Sequence, residues 1–254
     1  MALVLLEWTT GWVAGAAWTQ SWKTVRRGHF RITAWSTFLL GVLAVFAFRA
    51  ASPEGAGLQT GLVAATTVAV VLYLVAQYLE SDLPAVVVGS LAGLLGAAAL
   101  GSLGALIDGW AGLLAGAALI IGALFLGAVT NGMMLGHWYL NQPGLKPWAL
   151  ARLTQVAMIS VVASGVIGIA AVGKLATAET EGAVLGLPGF GDSFGVAFYG
   201  VWLALLVFSG VVVMAARRCI KIRSIQSATG LYYVAILTAG VAEFLVRYLM
   251  VNAS

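Results

Sequence analysis

Cysteine occurs once in this chain, as Cys219, and histidine twice, as His29 and His137. A lone cysteine rules out a disulfide framework within the chain and any multi-cysteine iron–sulfur or zinc site. No Ser-His-Asp or Cys-His constellation stands out, and the glycine-rich segments follow no strand and carry no Walker or dinucleotide pattern. Charge is scarce as well, at 9% of residues. What fills the space is apolar: 61% of residues are hydrophobic and the mean hydropathy is +1.01, which excludes an ordinary soluble domain. The sequence therefore reads as an all-α, polytopic membrane helix bundle, a single transmembrane domain over residues 1–254. Thirty-two glycines fit closely packed helices, because small residues let backbones approach where lipid supplies no hydrophobic drive.

A membrane-crossing helix needs about 20 mostly apolar residues. Eight such runs can be drawn, at about residues 3–22, 32–48, 61–78, 85–107, 112–140, 153–172, 194–216 and 229–251. The first is not expected to be a signal peptide, since its basic cluster follows the apolar run and four tryptophans lie within it. Pro84 stands where the fourth run starts, a position at which a missing N–H is harmless. Turns are expected at 52–55, at Glu80-Ser81-Asp82 and at Asp108-Gly109-Trp110. The longest connection, 174–193, carries Glu179, Glu181 and Asp192 and is expected to be an exposed loop or an interfacial element.

The net charge of +4 does not call for nucleic acid. Ten of the thirteen basic residues fall in three alternate connections: Lys23, Arg26, Arg27 and Arg31; Lys146 and Arg152; and Arg217, Arg218, Lys221 and Arg223. That is the positive-inside pattern. With an even number of crossings, it puts both termini on the non-cytoplasmic side, where Arg49, Lys174 and Arg247 remain as the only cations. No internal repeat is evident.

Ionisable groups at membrane depth are costly, so each that persists is a candidate for function. Glu7 lies near the outer end of the first run, with Glu243 and Arg247 near the outer end of the last. Glu243 and Arg247 are spaced i, i+4 with the acid first, the favourable order for a helical ion pair, so mutual neutralisation is one reading. If the first and last helices are neighbours, two carboxylates compete for one guanidinium, and one can then hold an exchangeable proton. At the other end, His137 sits above Thr130 and Met133, with Asn131 and Tyr139 pointing elsewhere and the step Gly132/Gly136 beside it. It is either a functional group or, with Trp138 and Tyr139, part of an interfacial aromatic belt. Bis-histidine haem is disfavoured, because His29, among Arg26, Arg27 and Arg31, reads as a solvated loop residue.

Glu7-Trp8 with Gly11 and Gly15 in the first run, and Gly240-Val241-Ala242-Glu243-Phe244-Leu245-Val246-Arg247 in the last, resemble the DmsC/NrfD-type membrane anchors. The resemblance covers the two ends of the chain. It implies a haem-free subunit of a respiratory oxidoreductase in a prokaryotic cytoplasmic (inner) membrane. Such a subunit binds menaquinone or ubiquinone and works with iron–sulfur and catalytic partner subunits. In that reading Glu7, Glu243 and Arg247 carry the proton chemistry, and Trp8, Asn131, His137 and Tyr139 are candidates for holding the quinone. A small-solute transporter or channel, and a structural subunit without chemistry of its own, are the alternatives.

Overall fold

The computed structural model describes residues 1–51, 55–107, 110–142, 144–145, 147–177 and 193–252, with side chains for all of these except 172–177, 193–195 and 252. The expected turns at 52–54 and 108–109, Pro143, Lys146, and the connection bearing Glu179, Glu181 and Asp192 lie outside the described residues. The helices are α1 (Ala2–Ser21), α2 (Arg27–Ala51), α3 (Gly57–Ala76), α4 (Leu83–Leu103), α5 (Gly112–Asn141), α6 (Trp148–Thr177), α7 (Ser193–Lys221) and α8 (Ile225–Asn252), with a short 3-10 turn, Gly104–Leu106, closing α4. Each overlaps an apolar run seen in the sequence, since a helix satisfies its own backbone hydrogen bonds where water cannot. Pro84 sits in the first turn of α4.

Seven of these helices, α2 to α8, are long and apolar enough to cross a membrane. The chain is therefore an integral membrane protein on length and composition. The expected eighth span, α1, is absent from that set although it has 20 residues. The reason is its composition, since Glu7, Gln20, three threonines and three tryptophans lower its mean hydropathy. The helix packs against α2, α4 and α5, so it buries Glu7, Thr9, Thr10, Thr19 and Gln20 among protein rather than presenting apolar side chains to lipid.

Helix contacts sort the bundle into two rings of four. In the first, α1 meets α2, α2 meets α3, α3 meets α4 and α4 returns to α1; in the second, α5, α6, α7 and α8 close in the same order. The two halves thus share an order of helix contacts, which the sequence did not reveal. The halves join mainly along α1 and α5, with α4 adding to the seam. There the backbones touch. A Cβ on Gly127 would run into the backbone of Gly11, and one on Gly11 into Ala123. Gly127→Ala should therefore cost about 1–3 kcal/mol, the usual penalty for overpacking. Gly61, on an open face of α3, is the control. In detergent, thermal unfolding of the Gly127→Ala protein should be clearly lowered and that of Gly61→Ala unchanged or raised.

The ends of the chain meet, because α8 returns Arg247 to Glu7 near the start of α1. The opposite end carries the connections between α1 and α2, α3 and α4, and α5 and α6, joined through Arg27 to Asp82 and through Trp22 to Trp148. Two of the three basic clusters thus share one end of the bundle.

Candidate functional site

The buried charges converge where the two halves meet. Arg247 Nε donates to Glu7 Oε1 at 2.6 Å, and its Nη2 donates to Glu243 Oε2 at 2.7 Å and to the Ala118 carbonyl at 2.8 Å. Its remaining nitrogen, Nη1, points at the thioether of Met250, 3.0 Å away. All three charged residues are buried, Glu7 completely. The i, i+4 spacing on α8 aligns Glu243 and Arg247, and the closed second ring turns that face inward. Space for the cluster comes from Gly122 of α5: a Cβ there would collide with Arg247 Nη2 and stand 2.6 Å from Glu243 Oε2 and 2.9 Å from Glu7 Oε1.

Two carboxylates and one guanidinium sum to a net charge of minus one when all are ionised. An uncompensated buried charge is expensive, so the neutral form of the cluster holds one extra proton. One acceptor is also unused. Glu7 Oε2 is buried and has no hydrogen-bond partner among the described residues.

Beside the cluster a narrow crevice of about 20 Å³, room for little more than a water molecule, opens within the second ring. Glu243, Arg247 and Met250 form one wall, and Trp110, Tyr199 and Trp202 supply aromatic surfaces, with Ser164 as a further polar group. Tyr199 donates its hydroxyl to the Gly168 carbonyl at 3.3 Å.

A second polar cluster lies at the basic end and has a different character. Gln20 and Gln77 exchange amide hydrogen bonds at 3.1 and 3.0 Å, Tyr73 donates to Gln20 at 3.3 Å, and Gln20 also reaches Asp82. Arg27 caps it through Asp82 at 2.9 Å and through the carbonyls of Leu79 and Glu80. Both glutamines have all their side-chain groups paired, so this network stitches α1, α2 and α3 together and leaves nothing for a ligand.

The remaining residues singled out from the sequence do not join the crevice. Trp8 donates its indole N–H to Thr130 at 2.8 Å and lies over Gly240, bracing α1 against α5 and α8. Asn131 donates to the carbonyls of Trp12 and Gly127 at 3.1 and 2.8 Å and packs on Gly15, a strap across the seam. His137 and Tyr139 sit near the far end of α5, the histidine exposed and the tyrosine buried in the hydrophobic core of the second ring. The step Gly132/Gly136 is filled by Tyr232 and Thr229 of α8, so it serves helix packing. His29 corrects the sequence reading. It is not a solvated loop residue but a buried one in the first turn of α2, edge-on to Phe30 and Trp138, with Nδ1 unpaired among the described residues.

Sequence reasoning missed Gly122, Met250 and the aromatic wall. Gly122 is one of 32 glycines and nothing local marks it. Tyr199 and Trp202, three apart on α7, share a face, the one signal that could have been read. The site thus defines a class, an integral membrane bundle with a buried, charge-imbalanced carboxylate–guanidinium cluster. Comparison with protein-family models, with curated proteins and with solved structures returned no match.

Proposed function

We propose that the chain is a haem-free, quinone-binding membrane anchor subunit of a respiratory oxidoreductase, with the crevice beside Glu243 and Arg247 as its quinone site. One observation carries this reading. Arg247 Nη1 spends a cationic donor on a weak thioether acceptor, and it does so on the same wall as a carboxylate that shares its counter-charge. A quinone carbonyl is a better acceptor than the Met250 sulfur. A quinol hydroxyl needs a base at hydrogen-bond distance, and Glu243 stands in that position. Aromatic rings on the facing wall suit a flat ligand. The ring enters as the aromatic walls part, because the closed crevice has room for little more than water.

In this reading Glu7 is the partner that keeps Arg247 in place and shares the extra proton, and electrons pass to iron–sulfur and catalytic subunits outside the membrane. α1 is an eighth crossing. The basic end faces the cytoplasm of a prokaryotic cell, with both termini outside. Labelling by a photoreactive quinone analogue, mapped by peptide mass spectrometry, tests the proposal.

A further inference from the structure

The seam between the two halves carries a second binding feature, at the basic end and remote from Glu243. An open cleft of about 600 Å³ lies between the α1–α2 and α5–α6 connections. Lys23, Arg26, Asn141 and Gln142 line it, and among the described residues no acidic side chain does. Thr24 also faces this cleft, and its Oγ1 is buried without a hydrogen-bond partner among the described residues. Gln142 commits its amide oxygen to the Trp138 indole at 3.0 Å, which leaves the amide nitrogen as its donor end. The cleft therefore offers two cations, amide donors and a hydroxyl with an unmet hydrogen-bonding capacity, a set suited to a phosphate group.

On the same seam, deeper along α1, lies an apolar groove of about 230 Å³ lined by Gly11, Gly15, Trp18, Leu124, Leu153 and Val156. Trp18 meets Trp22 edge-on at 4.6 Å and Trp22 packs at a tilt against Trp148 at 5.1 Å, so a chain of aromatic contacts links the groove to the connection that bears Lys23. Arg152 lies over Trp148 at 4.9 Å and over Trp22 at 5.8 Å, a further cation at that level. From Gly11 to Trp18 the helix rises about 10 Å at 1.5 Å per residue, a distance that an acyl chain descending from the interface spans easily.

We infer that this seam binds one anionic phospholipid, its phosphate held by Lys23 and Arg26 and one acyl chain lying in the groove. Charge complementarity selects the occupant: basic pockets between membrane helices hold anionic headgroups, and the groove beneath favours a lipid over a soluble anion. The lipid would lie along the outer edge of the seam, beside the contacts that Gly127 and Asn131 make across it. This inference is independent of the quinone site.

The test is native mass spectrometry of the full chain, purified in detergent and titrated with phosphatidylglycerol or phosphatidylcholine. One phosphatidylglycerol should bind about tenfold or more tightly than phosphatidylcholine. K23A/R26A should remove that preference, and Val156→Phe, which fills the groove, should weaken retention of both lipids while thermal unfolding shows the protein folded. Excess inorganic phosphate should not displace the bound lipid. Equal binding of the two lipids, an undiminished preference in K23A/R26A, undiminished retention in the folded Val156→Phe protein, or displacement by inorganic phosphate would each overturn the inference.

Discussion

Arg247→Met should destabilise the folded chain by about 3–5 kcal/mol, the cost of removing one partner from a buried ion pair. The substitution keeps most of the side-chain volume, so packing is not the main loss. What remains is two carboxylates at the wall left by Gly122, with no counter-charge and with the Ala118 carbonyl deprived of its donor. Unfolding by SDS titration in mixed micelles reads the effect. The triple variant E7Q/E243Q/R247M should recover most of the loss, because it removes the charges together and leaves neutral amides. If Arg247→Met unfolds like the parent, the cluster does not hold the two halves together.

The second large effect concerns activity. Glu243→Gln should lower quinol oxidation by about 100-fold or more, the range in which a positioned general base contributes. Stability should hold or rise, since the variant leaves Glu7 and Arg247 as a one-to-one pair at 2.6 Å and removes the excess negative charge. The assay is turnover of a quinol analogue in membranes containing the native complex, alongside thermal unfolding of the purified chain. Unchanged turnover in a folded variant contradicts the role given to Glu243. The contrast between the two substitutions is informative in itself: Arg247→Met removes the cation and should lower stability, whereas Glu243→Gln leaves a one-to-one pair and should lower activity with stability held or raised.

Most of the helices were legible in the sequence because apolar length is a strong signal, and their bounds differ from the drawn runs by only a few residues. Helix α1 shows the limit of that signal. It is long enough to cross, but its polar side chains are licensed by neighbours that only the fold reveals. Glu7, Glu243 and Arg247 stood out because charge inside an apolar run is rare, and their meeting depended on α1 and α8 being neighbours, which spacing along the chain cannot give. Gly122 was invisible for the opposite reason, being a common residue whose importance lies in what a side chain would displace. His29 was misread from its neighbours. Arg27 and Arg31 turn toward the α3–α4 connection and Tyr78, while the intervening histidine turns inward onto Trp138, a separation set by helical periodicity. His137, read from the sequence as either a functional group or part of an interfacial aromatic belt, is exposed near the end of a long α5.

The quinone assignment is most directly tested by photolabelling the purified chain with an azido-quinone, with and without an excess of unlabelled quinone, and mapping the modified peptides. The account predicts label on the α7 segment holding Tyr199 and Trp202 or the α8 segment holding Glu243 to Met250, suppressed by competitor and lost in Arg247→Met. Label that competitor does not suppress, or that falls only on the lipid-facing surfaces of α2 and α3, would contradict it.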